Sequence, residues 1–307
     1  MTLRGPPEER SPAQLLRFGV VNLDKPPGPS SHQVAGWVRD AVGDALEAAT
    51  DDRGPEKAAH GGTLDPKVTG SLPVLLGTAP RMAQVFLAGD KEYVAVLELH
   101  GRAPADVEAT LETFEGEIYQ RPPKKSAVVR RLRTREIHEL TPMEVQPRRA
   151  LLRIRAESGT YVRKLCHDLG LALGTGAHMG DLRRTATGPF DDADLATMED
   201  LVDALAFWTE GGDPEPLRAV VEPAERALAH LPSTTIAPSA ARQVAEGAPV
   251  YAPGVIEGPD DAGATTDDGD PPLVACYTPN GAAVCLGRLV GDPDASSGTV
   301  IELERVL

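Results

Sequence analysis

His60-Gly61-Gly62-Thr63-Leu64-Asp65-Pro66-Lys67-Val68-Thr69-Gly70, residues 60–70, is the stretch on which the reading of this chain turns. Its glycines and its proline predict a loop of tight turns. Gly61 and Gly62 allow another backbone to approach closely, and Pro66 stiffens the exit. An acid held on such a loop suits a nucleophile or a general base. In isolation, Asp65 reads more simply as an ordinary turn aspartate before proline. Its neighbours along the chain have to decide.

Upstream, Phe18–Leu23 reads as a short buried strand. Ser30 or Ser31 caps an expected helix whose Val34, Trp37, Val38, Ala41 and Val42 make one apolar face. Residues 43–57 are acidic and loop-like, and residues 1–17 are polar, Pro-rich and expected to be a flexible extension. Downstream, Lys91–Leu99 alternates, with Tyr93, Ala95, Leu97 and Leu99 on one face of a half-buried strand. Val107, Leu111 and Phe114 mark a helix after Pro104. Leu152, Ile154 and Ala156 alternate with Arg153 and Arg155, giving a strand with a basic face. Thr160 then opens a helix that turns Val162, Leu165, Cys166, Leu169 and Leu173 inward, and residues 197–207 read as another. Beyond residue 232 the segments shorten. Residues 273–277, 283–289 and 299–307 read as strands of a small β-rich module, and 257–272 is an acidic Gly/Asp/Pro tract expected to be a mobile loop.

Composition narrows the class. The chain has 307 residues, 41% of them hydrophobic, enough for a sizeable core. It has no apolar run long enough for a transmembrane helix, and MTLRGPPEER does not resemble a secretory leader. Cys166, Cys276 and Cys285 cannot all pair with one another, and no CxxC occurs. Three reduced thiols in a cytoplasmic protein are expected, with no metal site. The net charge of −15 argues against nucleic acid until its distribution is considered. Residues 121–190 carry fifteen Lys/Arg against six Asp/Glu, a local +9 that leaves −24 for the remainder. A basic island in an acidic chain suits local anion binding. Only seven of the 31 basic residues are Lys, against 46 acids, a pattern that suggests a salt-adapted protein. At about 1 M salt the Debye length is roughly 3 Å, so the acidic surface would scarcely repel RNA.

Other positions carry chemistry of their own. Arg163, in Ser158-Gly159-Thr160-Tyr161-Val162-Arg163-Lys164, follows a glycine turn at a helix start, where an arginine can hold a carboxylate through both nitrogens. Alone it is also an ordinary surface arginine. Tyr93 offers a ring on which a base can stack, or a plain half-buried strand tyrosine. His60 has the standing of a lone loop histidine. Arg130, Arg131, Arg133 and Arg135, interleaved with Val129 and Leu132, resemble a phosphate-binding surface. Competing motifs fail: HGG lacks a GxSxG partner, Gly174-Thr175-Gly176 is not a dinucleotide loop, and no P-loop occurs.

Taken together these residues resemble the TruB/dyskerin pseudouridine synthases, and within them the archaeal H/ACA guide-RNA branch. LDKPPGPSSHQV (23–34) is similar to the family's first motif, and HGGTLDPKVTG (60–70) to the second, with Asp65 in the place of the catalytic aspartate. KEYV (91–94) matches the strand of the substrate-stacking tyrosine, and YQRPPKKSAVVRRLRTREI (119–137) resembles the archaeal and eukaryotic branch. SGTYVRKLCHDLG (158–170) and GAHMGDLRRTATGPF (176–190) complete the catalytic domain, and the region from 233 resembles a PUA domain. The chain departs from the pattern in its short N-terminal extension, in the tract at 257–272, and in a PUA region with three basic residues against eleven acids.

The resemblance implies an α+β fold: a flexible extension over 1–17, a catalytic domain over 18–232 around a mixed, mostly antiparallel sheet, and a β-rich PUA domain over 233–307. It implies isomerisation of a flipped-out uridine in RNA, with no cofactor. Asp65 would be the nucleophile or base, and Arg163 its ionic partner. Tyr93 would stack on uracil, Tyr161 and Leu182 line the pocket, Lys25 support its floor, and His60 lie near the flipped nucleotide. The implied partners are rRNA or tRNA, an H/ACA guide RNA and small core proteins. Two alternatives stay open: a guide-free enzyme acting on the tRNA T-loop, and a catalytically inactive RNA-binding scaffold. A glycoside hydrolase would need a second carboxylate that no motif supplies.

Overall fold

The strands on either side of the Asp65 loop are neighbours in one large sheet. The computed structural model describes residues 3–54, 57–122, 129–259 and 271–307. Outside them lie Lys124, Lys125, Ala127 and Val128 of the expected basic stretch, and residues 260–270 of the acidic tract.

The large sheet contains β1 (Gly19–Lys25), β2 (Ala58–His60), β3 (Thr69–Leu76), β4 (Lys91–Leu99), β5 (Gly116–Gln120), β6 (Arg133–Gln146), β7 (Arg149–Ala156), β8 (Ala177–Thr187), β9 (Phe190–Asp191) and β10 (Glu222–Pro223). Its order is β10-β1-β3-β8-β4-β7-β6-β5, with β2 on β3 and β9 on β8. Neighbours are antiparallel except β3 and β8, which run parallel and meet only at Thr69–Arg183 and Gly70–Arg184. The sheet is therefore two half-sheets joined by two residue pairs. Gly70 makes the junction possible. It has φ +97°, and a Cβ there would lie 2.2 Å from the Arg184 carbonyl oxygen.

The helices begin where short polar side chains cap them. In α1 (Pro12–Arg17) Ser11 and Gln14 form a reciprocal capping box, and in α2 (Ser31–Thr50) Ser30 and Gln33 do the same. The loop expected over 43–57 is overturned as far as Thr50. Val42, Ala45 and Leu46 keep the helical spacing and are buried, while Asp40, Asp44 and Glu47 face water. Trp37 is 49% exposed and does not share the buried face expected of it. After the short α3 (Val85–Ala88) and α4 (Val107–Glu112), α5 (Val162–Ala172) turns Val162, Leu165, Cys166 and Leu169 into the core beneath β4, β7 and β8. Thr197 and Asp200 cap α6 (Met198–Gly211), and α7 (Glu215–Val220) packs beside it.

The second sheet is formed by β11 (Ser233–Ile236), β12 (Val250–Tyr251), β13 (Val255–Glu257), β14 (Leu273–Tyr277), β15 (Ala283–Leu289) and β16 (Thr299–Val306), with α8 (Pro238–Ala245) against it. Ala275, Ala283, Leu286 and Leu307 join Phe18, Val20, Leu75 and Phe86 in one buried cluster, so this sheet packs on the first.

The flexible extension expected over 1–17 is not what residues 3–17 form. Leu15 and Leu16 are buried, and Arg10 is 3% exposed in a two-pronged ion pair with Glu225, at 2.7 and 2.6 Å. Arg4 stacks on the Phe18 ring at 3.7 Å and donates to Ala283 O. The segment is polar because its charges are partnered across the two sheets, and polarity alone does not distinguish that from disorder.

Candidate active site

The loop from β2 to β3 carries Asp65 and enters β3 at Thr69, where the two half-sheets meet. Three clamps fix it. Leu64 donates its N–H to Ser31 Oγ at 2.8 Å, and Ser31 Oγ donates back to Leu64 O at 3.1 Å. Lys25 Nζ donates to the carbonyls of Pro66 (3.0 Å) and Val68 (2.9 Å). Gly28 N–H donates to the Pro66 carbonyl as well, at 2.8 Å. Lys25 is fully buried, and burial holds its pKa below the usual lysine value. Gly61 leaves no room for a side chain, because a Cβ there would meet the Phe86 ring at 2.9 Å.

Arg163, on the first turn of α5, forms an ion pair with Asp65 across 98 residues of sequence. The two side chains keep 47% and 54% of their surface exposed, so the carboxylate is reachable by a ligand. Tyr161 precedes the helix as its N-cap, one residue later than the expected start at Thr160. Its backbone is held by Gln120: Tyr161 N–H donates to Gln120 Oε1 at 2.8 Å, and Gln120 Nε2 donates to Tyr161 O at 3.2 Å.

On the other side, Tyr93 of β4 lies opposite Arg184 of β8, and Ala95 opposite Leu182. Tyr93, Leu182 and Arg184 therefore share a sheet face. Tyr93 is half-buried. Burial of its phenol raises its pKa, and the charge of Arg184 works in the opposite direction. His60 ends β2, half-buried. Its pKa is pushed below the usual value, first by burial and then by the charges of Arg184 and His32. Its Nδ1 is buried without a hydrogen-bond partner among the described residues. Among the described residues, no group of three or more His, Cys, Asp and Glu could hold a metal ion.

The arginine run lies apart from this cluster. Arg131 is exposed, and Arg130 Nε donates to Pro122 O at 2.9 Å. Arg133 and Arg135 are half-buried. Arg135 donates to Glu157 at 3.2 Å, bracing the turn that leads to Tyr161 and Arg163. Its guanidinium thus also braces that turn.

Three residues of the site were not singled out from sequence: Ser31, Gln120 and Arg184. Ser31 had been weighed only as a helix cap, whereas Ser30 caps the helix and Ser31 holds Leu64. Gln120 and Arg184 act through strand register, for which one sequence carries no marker.

Comparison with known proteins gives the family of the chain. The family model "TruB family pseudouridylate synthase (N terminal domain)" matches residues 52–106, "tRNA pseudouridylate synthase B C-terminal domain" matches 163–229, and "DKCLD (NUC011) domain" matches 5–35. A "Probable tRNA pseudouridine synthase B" of Haloarcula marismortui is 65% identical over 308 residues, covering 100% of this chain and 94% of its own. One of the same description from Pyrococcus furiosus is 44% identical over 307 residues, covering 98% and 85%. A solved Cbf5-Nop10-Gar1 complex contains a chain that superposes with TM-score 0.88 at 43% identity, over 99% of this chain and 89% of that one. A structure of an H/ACA RNP bound to a substrate RNA containing 2'-deoxyuridine gives TM-score 0.86 at 41% identity, over 99% and 89%.

The fold is thus that of an RNA pseudouridine synthase, an α+β enzyme with a β-rich, PUA-like C-terminal domain. The chain belongs to the TruB family. Its acidic composition fits relatives from Haloarcula and Halobacterium, which are 62–65% identical to it.

Proposed function

We propose that this chain is the catalytic subunit of an H/ACA guide-RNA particle and isomerises uridines of rRNA in the cytoplasm. The observation that carries this is the superposition, over 99% of the chain, on proteins solved in Cbf5-Nop10-Gar1 and H/ACA RNP complexes. Asp65 supplies the reactive carboxylate, and Arg163 keeps it ionised and aimed into the cleft. Tyr93 stacks on the flipped uracil, beside Tyr161 and Leu182, with His60 close to the nucleotide. The N1–C1′ bond breaks, the base turns, and C5 bonds to C1′. The C5 proton leaves and N1 gains one, so the reaction is balanced without an external group. Arg130, Arg131, Arg133 and Arg135 form the run that faces RNA phosphates, Arg135 also bracing the Glu157 turn. Guide–target pairing selects the site, and small partner proteins complete the particle.

A second reading has its own support: the curated relatives are described as tRNA pseudouridine synthases. In it the chain modifies a preformed tRNA loop without a guide. One experiment separates the two. Pseudouridine is mapped in an rRNA target and in tRNA as guide RNA and partner proteins are added stepwise, at the salt where the chain is folded. The guided reading expects rRNA modification only with guide and partners present, and full rRNA activity from the chain alone overturns it. Asp65→Asn should abolish isomerisation with RNA binding nearly intact. Normal turnover by that variant removes the assignment of the site.

A further inference from the structure

Arg184 is the largest of the fully buried side chains, 1% exposed, and belongs to none of the roles assigned above. Its Nε donates to Ser71 O at 2.8 Å and its Nη2 to Gly62 O at 3.3 Å. It lies opposite Tyr93 on the neighbouring strand, and its charge acts on the phenol. Among the described residues no carboxylate partners it. The adjacent Arg183, by contrast, pairs with both Asp24 and Asp192. A buried guanidinium balanced only by carbonyl oxygens and a phenol is expensive to keep. Leucine or methionine would fill an interior sheet position at lower cost. Something other than packing accounts for the charge.

Its position supplies the reason. The backbone of Arg184 is paired to Gly70 on one side and to Tyr93 on the other, at the junction of the two half-sheets. Gly62, three residues before Asp65, is shaped around it: its φ is +124°, and a Cβ there would lie 3.2 Å from Arg184 Nη1. We propose that Arg184 is a positioning residue for the isomerisation, tying the Asp65 loop to the Tyr93 phenol across the split, so that carboxylate and ring keep one separation as a uridine enters. The inference rests on the roles given to Asp65 and Tyr93 under the proposed function. A planar fork can serve Ser71, Gly62 and Tyr93 from one group, whereas an ammonium presents a single point. The charge of Arg184 also bears on His60 and Lys91, and it lowers the pKa of both.

The test separates rate from binding. Single-turnover isomerisation of saturating RNA, together with RNA Kd, is measured for wild type, Arg184→Met, Arg184→Lys, Tyr93→Phe and the two doubles, with folding checked by circular dichroism at assay salt. Displacing a reacting group by an ångström can cost about 100-fold, so Arg184→Met should slow turnover by that order with little change in Kd. Arg184→Lys should recover part of the loss. In the Tyr93→Phe background, replacing Arg184 should cost markedly less than in wild type, because part of its action runs through the phenol. If the Met variant fails to fold, Arg184→Lys with and without Tyr93→Phe makes the same comparison. A wild-type rate in the Arg184 variants overturns the inference, as does an undiminished effect of Arg184 in Tyr93→Phe. If Asp65→Asn is inactive while Arg184 variants are normal, only this inference fails. If Asp65→Asn is active, the underlying assignment fails first.

Discussion

Lys25 Nζ lies 3.0 Å from the carbonyl oxygen of Pro66 and donates to it, so the residue after Asp65 is anchored to the end of β1. The same ammonium reaches Pro26 O and Val68 O, each at 2.9 Å. Lys25→Met keeps the length of the side chain and strands these carbonyls, although Pro66 retains the Gly28 N–H. Buried acceptors left unsatisfied cost about 1–3 kcal/mol each, so a loss of roughly 2–4 kcal/mol is expected. Turnover should fall with it, by about 10–100-fold, as the carboxylate loses its fixed position. Denaturant unfolding and single-turnover rates check both, and wild-type stability would refute the anchoring role.

Arg163→Met should slow isomerisation by about 100-fold or more, because the carboxylate loses the group that holds it in the cleft. Arg163→Lys should recover only part, since a point charge cannot replace the fork. Wild-type rates in both variants would show the ion pair to be incidental.

Arg131 and Arg135 should separate, although they are neighbours in the sequence. Arg131→Gln should lower the slope of log Kd against log salt by roughly one, with chemistry on bound RNA unchanged. Arg135→Gln should in addition slow chemistry, because it loosens the Glu157 turn before Arg163. Unchanged chemistry in Arg135→Gln would show that its bond to Glu157 does not brace the site.

Lys91 makes stability pH-dependent. Its ammonium, 4% exposed, donates to Phe86 O at 2.8 Å and Gly89 O at 2.5 Å. Burial, with help from Arg184, lowers its pKa from 10.5 to about 8. Below about 8 both folded and unfolded chains hold the proton, and the folded state bears the full penalty. Between about 8 and 10.5 the unfolded chain holds more proton, so stability rises with pH. Lys91→Met should lack this rise. The difference in unfolding free energy between wild type and variant should change by on the order of 3 kcal/mol over that range, read from denaturant midpoints. A difference that stays flat with pH would contradict it.

Arg10 and Glu225 should prove structural. Their pair is 3% and 10% exposed, and Glu225 Oε1 also accepts the Ala283 N–H at 3.0 Å. Arg10→Met leaves a buried carboxylate and should cost roughly 3–5 kcal/mol. Hydrogen exchange should quicken at Ala283 and along β15. Unchanged protection there would mean that the second sheet docks without this contact.

The sequence alone determined the motifs, their order and the family. Asp65, Tyr93 and Arg163 are each unremarkable singly but together define the enzyme class. It also determined most elements, because alternation over Lys91–Leu99 and over the short strands from Leu273 reflects which side chains leave water, a local property. Where locality failed, the readings failed with it. Residues 43–50 looked like an acidic loop, yet Val42, Ala45 and Leu46 hold them in a helix. Residues 3–17 looked free, yet Arg10 finds Glu225 across 215 residues.

Only the tertiary structure decided how the site is held. That Asp65 meets Arg163, that Ser31 and Lys25 grip opposite ends of one loop, and that Arg184 lies under both Gly62 and Tyr93 depend on which strands pair and in what register. Register is set by the whole packed sheet, and a shift of one residue would turn Arg184 to the other face. A single chain of letters records which side chains are available. The hydrogen bonds they form across the split between β3 and β8 are settled only when two distant half-sheets fold against one core.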